Sequence, residues 1–368
     1  MGKIFVIINI FISSIIINST APLMPVFQNY LGISISRSSY IPVFGVLGTT
    51  IFSFLMSILV SKFGLKKSNY FGYFLLFLGL LFFSFSKNFF GIILASFLAG
   101  ASTAVLFTSL TTLLIHLENP RFGLTHAFFG LGGIVAPTLV SFSIKSNFSY
   151  RYLYMGYFLV VIIIFIWNIF IKLPDAKYET MKFNKIKKTI LKPVFFISII
   201  SFFLYSGSEI GLVTWSSNLF IHFGFSEDKA ALVISMFWIF YTLSRFLSDF
   251  VLKLISEKKI AIFSTFFASF LIFFMLLTKN AYIFPLVGFT MGSTFPMIQR
   301  YANMNLNKEE VGLLNGVTYG STGIGGILFS YSMGFLSDFS IPAMFVLPLV
   351  GLILVAIVQL LWKRGNRG

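Results

Sequence analysis

A carboxylate, Glu209, stands near the middle of a largely apolar run, Val194 to Ile221, that is long enough to cross a lipid bilayer. At a rise of about 1.5 Å per residue, Glu209 lies roughly 18 to 22 Å from either end of that run. An ionised acid is costly at this depth, so its side chain is expected to face the protein interior or a water-filled cavity. Binding and releasing a proton is the chemistry that such a group can perform. The alternative is a structural partner for a buried hydroxyl or cation.

Trp215 and Asn218 follow Glu209 in the same run. An indole face can pack against the C–H groups of a ligand, and an amide offers both a donor and an acceptor to its hydroxyls. We therefore predict that both residues bind substrate, although tryptophan is also frequent at membrane interfaces. Polar residues of other apolar runs are further substrate-binding candidates, or else hydrogen-bond between helices: Asn18, Gln299, Asn303, Asn315 and Tyr319.

Arg245 and Asp249 are four residues apart, so on a helix they share one face and can form an ion pair. They lie close to the end of their apolar run. We predict that the pair is a gate that rearranges during transport, the alternative being a static salt bridge at the interface.

The composition is that of a membrane protein. Hydrophobic residues make up 57% of the chain, charged residues 10%, and the mean hydropathy is +0.92, whereas a soluble chain carries about 25% charged residues. Apolar runs recur along the whole chain and predict an all-α membrane protein with twelve transmembrane helices. These spans 1 to 12 lie near 4–27, 39–61, 70–86, 89–115, 124–144, 152–171, 194–221, 230–252, 260–278, 281–299, 312–335 and 341–361.

The basic residues indicate how the chain is oriented. With twelve crossings, 20 of the 27 Lys and Arg residues fall on the side of the two termini and 6 on the other side, while Arg245 lies within a span. This bias places both termini in the cytoplasm of a multi-pass protein of the cell (inner or plasma) membrane. The net charge of +16 is thus a topology signal, and no nucleic-acid partner is expected.

The only long hydrophilic stretch divides the chain into equal groups of spans. We predict an N-terminal six-helix bundle over 1–172, a basic cytoplasmic linker over 173–192 and a C-terminal six-helix bundle over 193–368. Two such bundles are typical of secondary transporters, which hold their substrate between them.

The chain resembles the major facilitator superfamily over nearly its whole length. The stretch Ser57-x-x-x-Ser61-Lys62-x-Gly64-x-Lys66-Lys67 is similar to the superfamily's Gly-x-x-x-Asp-Arg-x-Gly-Arg-Arg/Lys signature, with Ser61 in place of the acid. Three patterns resemble the sugar permeases of the fucose–galactose–glucose proton symporter group: His126-Ala-Phe-Phe-Gly130-Leu-Gly132-Gly133-Ile-Val-Ala-Pro137, Gly207-Ser-Glu209-Ile-Gly211-Leu-Val-Thr-Trp215 and Ser244-Arg245-Phe-Leu-Ser-Asp249.

This resemblance implies two pseudo-symmetric bundles that import a sugar, with or without coupling to protons. The chain departs from the proton-coupled members in span 1, where Asn18-Ser19-Thr20-Ala21-Pro22 carries no acid. Span 4 has none either, so any coupling proton is assigned to Glu209.

We therefore expect a secondary active transporter that moves a small neutral solute, a sugar, by alternating access around a site formed by spans 1, 4, 5, 7, 10 and 11. The alternatives are a proton-coupled exporter of lipophilic drugs with the same fold and a membrane sensor that does not transport. No nucleophile–base set or phosphate loop indicates an enzyme. The chain has no cysteine and its histidines are scattered, so we expect no cofactor and no metal. The expected partners are the solute, protons and the lipid bilayer. We expect the protein to be a monomer.

Overall fold

The structure is a computed structural model that describes residues 2–115, 122–171, 191–304, 306 and 308–362. Within these ranges, the side chains of 57–61, 115, 122–126, 308, 309, 312, 315 and 316 are not described. The predicted linker, 173–192, lies almost entirely outside the described residues.

All regular secondary structure in the described ranges is helical, and these helices account for the twelve predicted spans. They are Gly2–Asn18 and Met24–Leu31 (span 1), Ile35–Ser38 and Tyr40–Phe85 (spans 2 and 3), Phe89–Ile115 (span 4), Phe122–Lys145 (span 5), Tyr150–Phe170 (span 6), Pro193–His222 (span 7), Glu227–Val251 (span 8), Glu257–Thr278 (span 9), Phe284–Gly292 and Thr294–Asn303 (span 10), Lys308–Leu336 (span 11), and Ile341–Met344 and Val346–Leu361 (span 12). A short 3₁₀ helix, Ala281–Ile283, leads into span 10.

Ten of these helical stretches in the described ranges are each long and apolar enough to cross a membrane. Span 1 contributes a shorter apolar helix, Gly2–Asn18, and span 11 the helix Lys308–Leu336. The all-α membrane fold predicted from the sequence is confirmed.

Spans 2 and 3 differ from their predicted boundaries. A loop is expected between 61 and 70, but the helix Tyr40–Phe85 continues through this region and is broken only at Gly64, with φ 81° and ψ 168°. Glycine adopts this backbone conformation without the steric cost that a Cβ would impose. The two lysines that follow Gly64 are good helix formers, so a basic turn need not be a loop.

Span 1 is interrupted in its middle. The helix Gly2–Asn18 ends in a turn over 19–23, and a second helix, Met24–Leu31, follows. Pro22 and Pro25 lack the backbone N–H that a continuous helix would require at these positions. The Ser19 hydroxyl lies 2.9 Å from the Tyr157 hydroxyl of span 6, which holds the turn against the rest of the N-terminal bundle.

Glycines bring spans 2 and 4 into backbone contact. A Cβ placed on Gly100 would overlap the carbonyl oxygen of Gly45, and one placed on Gly48 would overlap the carbonyl oxygen of Phe97. Close backbone approach through small residues commonly stabilises helix association in lipid, because burial of apolar surface contributes little to association there.

The two six-span halves meet along spans 5 and 8 and along spans 2 and 11. Gly130 of span 5 packs against Thr242 of span 8, and a Cβ on Gly133 would approach the Trp238 ring to 2.9 Å. Two polar contacts join the same two helices. The hydroxyls of Thr138 and Ser235 lie 2.9 Å apart, and Ser235 Oγ donates to the carbonyl oxygen of Ile134 at 2.8 Å. This seam leaves a cavity on one side.

We predict that Gly100→Val destabilises the fold, because the added side chain must displace the backbone of span 2. Overpacking of this kind costs about 1 to 3 kcal/mol. A thermal unfolding scan of the purified protein in detergent should show a midpoint lowered by several degrees. Gly156→Val is the matched control, because a Cβ on Gly156 would meet no atom within 4 Å. Equal midpoints for the two variants would contradict the prediction.

Candidate functional site

A cavity of about 300 Å³ lies beside the seam between spans 5 and 8 and reaches Glu209 of span 7. Its volume is at the lower end of the range that small-molecule sites occupy. Its lining consists mainly of apolar and aromatic side chains around one acid and one base: Ala127, Phe129, Gly130, Glu209, Trp238, Tyr241, Thr242, Arg245 and Phe246.

Glu209 occupies the depth that the sequence predicts. It is the seventeenth residue of the 30-residue helix Pro193–His222, so it lies about 24 Å from one end and about 20 Å from the other. The helix remains continuous through this position, and the carboxylate is half-buried and faces the cavity. Glu209 is the only carboxylate among the described residues that line this cavity.

A hydroxyl group links Glu209 to the base. Tyr241 donates its hydroxyl hydrogen to Glu209 Oε1 at 3.0 Å and accepts a hydrogen bond from Arg245 Nη2 at 2.7 Å. The arginine carbon Cζ also lies 4.5 Å from the centre of the Tyr241 ring, within the range of a cation–π interaction. Acid, phenol and guanidinium therefore form one chain from span 7 to span 8.

A carbonyl group at a break in span 10 binds the other edge of the Arg245 guanidinium. Arg245 Nε donates to the carbonyl oxygen of Gly292 at 3.0 Å. Gly292 is the last residue of the helix Phe284–Gly292, and the carbonyl groups at a helix end lack intrahelical partners. A Cβ on Gly292 would overlap the Tyr241 carbonyl oxygen, so this glycine lets the two helices touch.

The predicted ion pair between Arg245 and Asp249 is not formed, which corrects that part of the gating prediction. Asp249 is 87% exposed, and its Oδ1 lies 4.0 Å from Arg300 Nη1, while Arg300 Nε lies 3.1 Å from Glu257. Side chains on a helix lean towards its N-terminus. Arg245 accordingly reaches back to Tyr241, four residues earlier, rather than forward to Asp249. A gating role for either residue stays a prediction.

Trp215 and Asn218 lie away from the cavity, and their substrate roles stay predictions. The Trp215 ring is fully buried, and its Nε1 donates to the carbonyl oxygen of Ser330 in span 11 at 3.1 Å. Asn218 is 6% exposed and donates to Gln28 Oε1 of span 1 at 2.7 Å. Both side chains act here as contacts between helices.

The other predicted substrate residues are also absent from the cavity lining, as far as their side chains are described. Asn18 donates to the carbonyl and hydroxyl oxygens of Ser14 in its own helix, at 2.9 and 3.1 Å. Gln299 interacts with the half-exposed Tyr319 of span 11, and Asn303 is the last residue of span 10. The side chain of Asn315 lies outside the described residues. Their substrate roles stay predictions.

Sequence reasoning missed the contribution of span 8. Trp238, Tyr241, Thr242 and Arg245 are spaced i, i+3, i+4 and i+7, so one helix face carries all four to the cavity. The same spacing is visible in the sequence, and Arg245 within a span points to it. In the described residues no group of His, Asp and Glu side chains is arranged to hold a metal ion.

The end of the molecule opposite the termini is closed by contacts between the two halves. Asn218 bonds to Gln28, whose Nε2 donates to Ser38 Oγ at 2.9 Å. Asn29 of span 1 donates to Glu227 Oε1 of span 8 at 2.8 Å. The bonds from Asn218 to Gln28 and from Asn29 to Glu227 cross between the two halves at that end.

We predict that Asn218→Leu opens this end more often, because it removes the buried amide contact with Gln28. A loss of about 1 to 2 kcal/mol corresponds to a 5- to 30-fold change in the equilibrium. The chain has no native cysteine, so a cysteine placed at the buried Ser39 can report opening through its rate of labelling by a membrane-impermeant maleimide.

Gln359→Leu is the control for this experiment. Gln359 donates a buried amide hydrogen bond to Ser201 Oγ at 2.9 Å, a contact within the C-terminal half. Its variant should not accelerate labelling. Equal acceleration by both variants would mean that general loosening, and not the contact between halves, governs access.

Comparison with known proteins identifies similar chains over nearly the full length. The family model of the Major Facilitator Superfamily matches residues 6–287 and 218–367. The "Protein TsgA homolog" of Buchnera aphidicola subsp. Schizaphis graminum (strain Sg) is 22% identical over 319 residues, 84% of this chain and 82% of that protein. "Protein TsgA" of Escherichia coli O17:K52:H18 (strain UMN026 / ExPEC) is 23% identical over 255 residues, 66% of this chain and 63% of that protein.

Three solved structures share the fold. A mutant of the nucleoside transporter NupG has a TM-score of 0.82 at 14% identity, covering 98% of this chain and 99% of that chain. A D-xylose-proton symporter has a TM-score of 0.79 at 10% identity, covering 97% and 96%. A single-residue variant of the E. coli fucose:proton symporter FucP has a TM-score of 0.67 at 17% identity, covering 99% and 98%.

Proposed function

The chain belongs to the Major Facilitator Superfamily, and we propose that it is a proton-coupled symporter for a small hydroxylated solute of sugar size. The two halves, 1–172 and 193–368, rock about the seam between spans 5 and 8 and expose the cavity to one side of the membrane at a time. Both termini and the basic linker, 173–192, lie in the cytoplasm, and the protein spans the cell membrane many times.

The observation that carries this proposal is the position of Glu209. Its carboxylate faces a cavity between the halves near the middle of the membrane, and a tyrosine hydroxyl bonds to it. Protonation changes the charge of the cavity by one unit, because it neutralises Glu209 and leaves Arg245 charged. A proton taken up on one side and released on the other would therefore give the cavity two states of different energy.

The side chains that line the cavity are suited to a solute with one apolar face and several hydroxyl groups. Phe129, Trp238 and Phe246 offer flat surfaces for C–H groups, while Glu209 and Arg245 offer an acceptor and donors. The symporters named for xylose and fucose share the fold at 10% and 17% identity, which supports the architecture alone. The choice of solute therefore rests on the chemistry of the lining.

We predict that Glu209→Gln abolishes uptake against a concentration gradient, because the amide cannot exchange a proton. Counterflow exchange of solute should remain, since it needs only alternating access. The measurement is uptake of a labelled sugar panel in proteoliposomes, with and without an imposed pH difference. Glu257→Gln, at the end of span 9 that faces Arg300, is the control and should retain concentrative uptake.

Accumulation by Glu209→Gln at the wild-type level, with the wild-type response to the pH difference, would remove Glu209 from the coupling step. Extrusion of lipophilic compounds by the wild-type protein, in place of uptake, would favour the drug exporter over the symporter.

A further inference from the structure

We infer that the solute carries one carboxylate, which binds to Arg245 once Glu209 has taken up its proton. This departs from the neutral solute that the sequence indicates, and it rests on the proposed function in one respect, namely that Glu209 is the proton site. The ligand class is a hydroxylated monoanion, of which a sugar acid is an example.

The charges of the cavity lead to this inference. Among the described lining residues, Glu209 and Arg245 are the charged groups, and the Tyr241 hydroxyl connects them. With Glu209 ionised, their charges cancel. When Glu209 is protonated, Arg245 is left without a counter-charge in a half-buried position, and an uncompensated charge of this kind is strongly unfavourable. A neutral sugar would leave that charge in place, whereas a carboxylate would cancel it.

The other groups near this pair supply no replacement charge. The Tyr205 hydroxyl contacts Glu209 as well as the carbonyl oxygen of Met291, at 2.7 Å from the latter, and it carries no charge. Tyr319 interacts with Gln299. Span 5 contributes Ala127, Phe129 and Gly130 to the lining. His126 precedes this stretch, and its side chain lies outside the described residues. The experiments that test the inference therefore measure charge and ligand type rather than a pH profile.

Arg245 is already held in a position to bind an anion. The bonds from Nε to Gly292 and from Nη2 to Tyr241 fix the plane of the guanidinium, and neither uses Nη1. A planar guanidinium fixed in this way presents its remaining N–H groups in the geometry that suits a carboxylate. Little side-chain entropy remains to be lost on binding.

Two further groups on the same face of span 8 favour a hydroxylated body next to that carboxylate. Trp238 is 9% exposed, and both its indole Nε1 and the Thr242 hydroxyl are buried without a hydrogen-bond partner among the described residues. Buried polar groups in folded proteins are normally paired. A small rotation of either side chain towards the cavity would let a solute hydroxyl supply the missing partner.

The order of events follows from electrostatics. The Glu209 carboxylate repels an anionic solute while it is ionised, so the proton must bind first. Protonation of Glu209 removes the negative charge that balances Arg245, and the carboxylate of the solute then takes its place. One proton and one monoanion then cross together, and no net charge moves per cycle.

The first test is a binding comparison with matched probes on the purified full-length protein. Glucuronate, glucuronamide and glucose, and gluconate with its amide, are titrated by calorimetry at acidic pH. At least one acid should bind about tenfold or more tightly than its amide, the effect expected of a charge-assisted hydrogen bond. Arg245→Gln should reduce this preference to near one, and Arg245→Lys should retain part of it.

Arg300→Gln is the matched control, because it removes an exposed arginine outside the cavity that faces Glu257. It should keep the wild-type preference for the acid. Equal binding of acid and amide, or binding of neither, overturns the inference. Equal loss of acid and amide binding in Arg245→Gln would overturn it as well, because the arginine would then have only a structural role.

The second test measures charge movement in proteoliposomes under an imposed pH difference. Uptake of the preferred acid should not change when a potassium–valinomycin potential is applied. Proton-driven uptake of glucose that accelerates with an inside-negative potential would overturn this inference and leave the proposed symport intact. If the pH difference drives neither acid nor sugar, the proposed function itself fails.

Discussion

The hydroxyl of Tyr241 is the connection on which the rest of the site depends. It lets a carboxylate and a guanidinium share a cavity inside the membrane without direct contact, donating to Glu209 at 3.0 Å and accepting from Arg245 at 2.7 Å. Each charge reduces the cost of the other, because an isolated charge at this depth is expensive. The pair is indirect, so either charge can be neutralised without a salt bridge having to break first.

The helices around this pair are held by two kinds of contact: rigid backbone contacts within a half, and hydrogen bonds between the halves that can separate. Within the N-terminal half, spans 2 and 4 touch through their backbones at Gly45 and Gly100, and such contacts leave no room for sliding. Between the halves, the closed end relies on amide groups, with Asn218 bonded to Gln28. Amide hydrogen bonds contribute only about 1 kcal/mol each, because water can replace them. The backbone contacts within the N-terminal half are therefore rigid, whereas the amide contacts at the closed end can be exchanged for water.

The sequence was sufficient for the fold and for Glu209, but not for the residues around it. Apolar runs of membrane length and one acid in the middle of span 7 are local properties, and both can be read directly from the sequence. An indole can serve a helix interface as well as a ligand, so the sequence did not predict that Trp215 donates to the carbonyl oxygen of Ser330. The predicted Arg245–Asp249 pair failed because spacing gives a shared face, whereas the direction of the side chain selects Tyr241.

Gly292 shows how far this site depends on a residue with no side chain. Its missing Cβ allows span 10 to rest on the Tyr241 backbone, and its carbonyl group then receives Arg245. An alanine here would contact neither proton nor solute, yet it would push the two helices apart and release one edge of the guanidinium. Relatives with a bulkier residue at this point would have to hold their cation by other means.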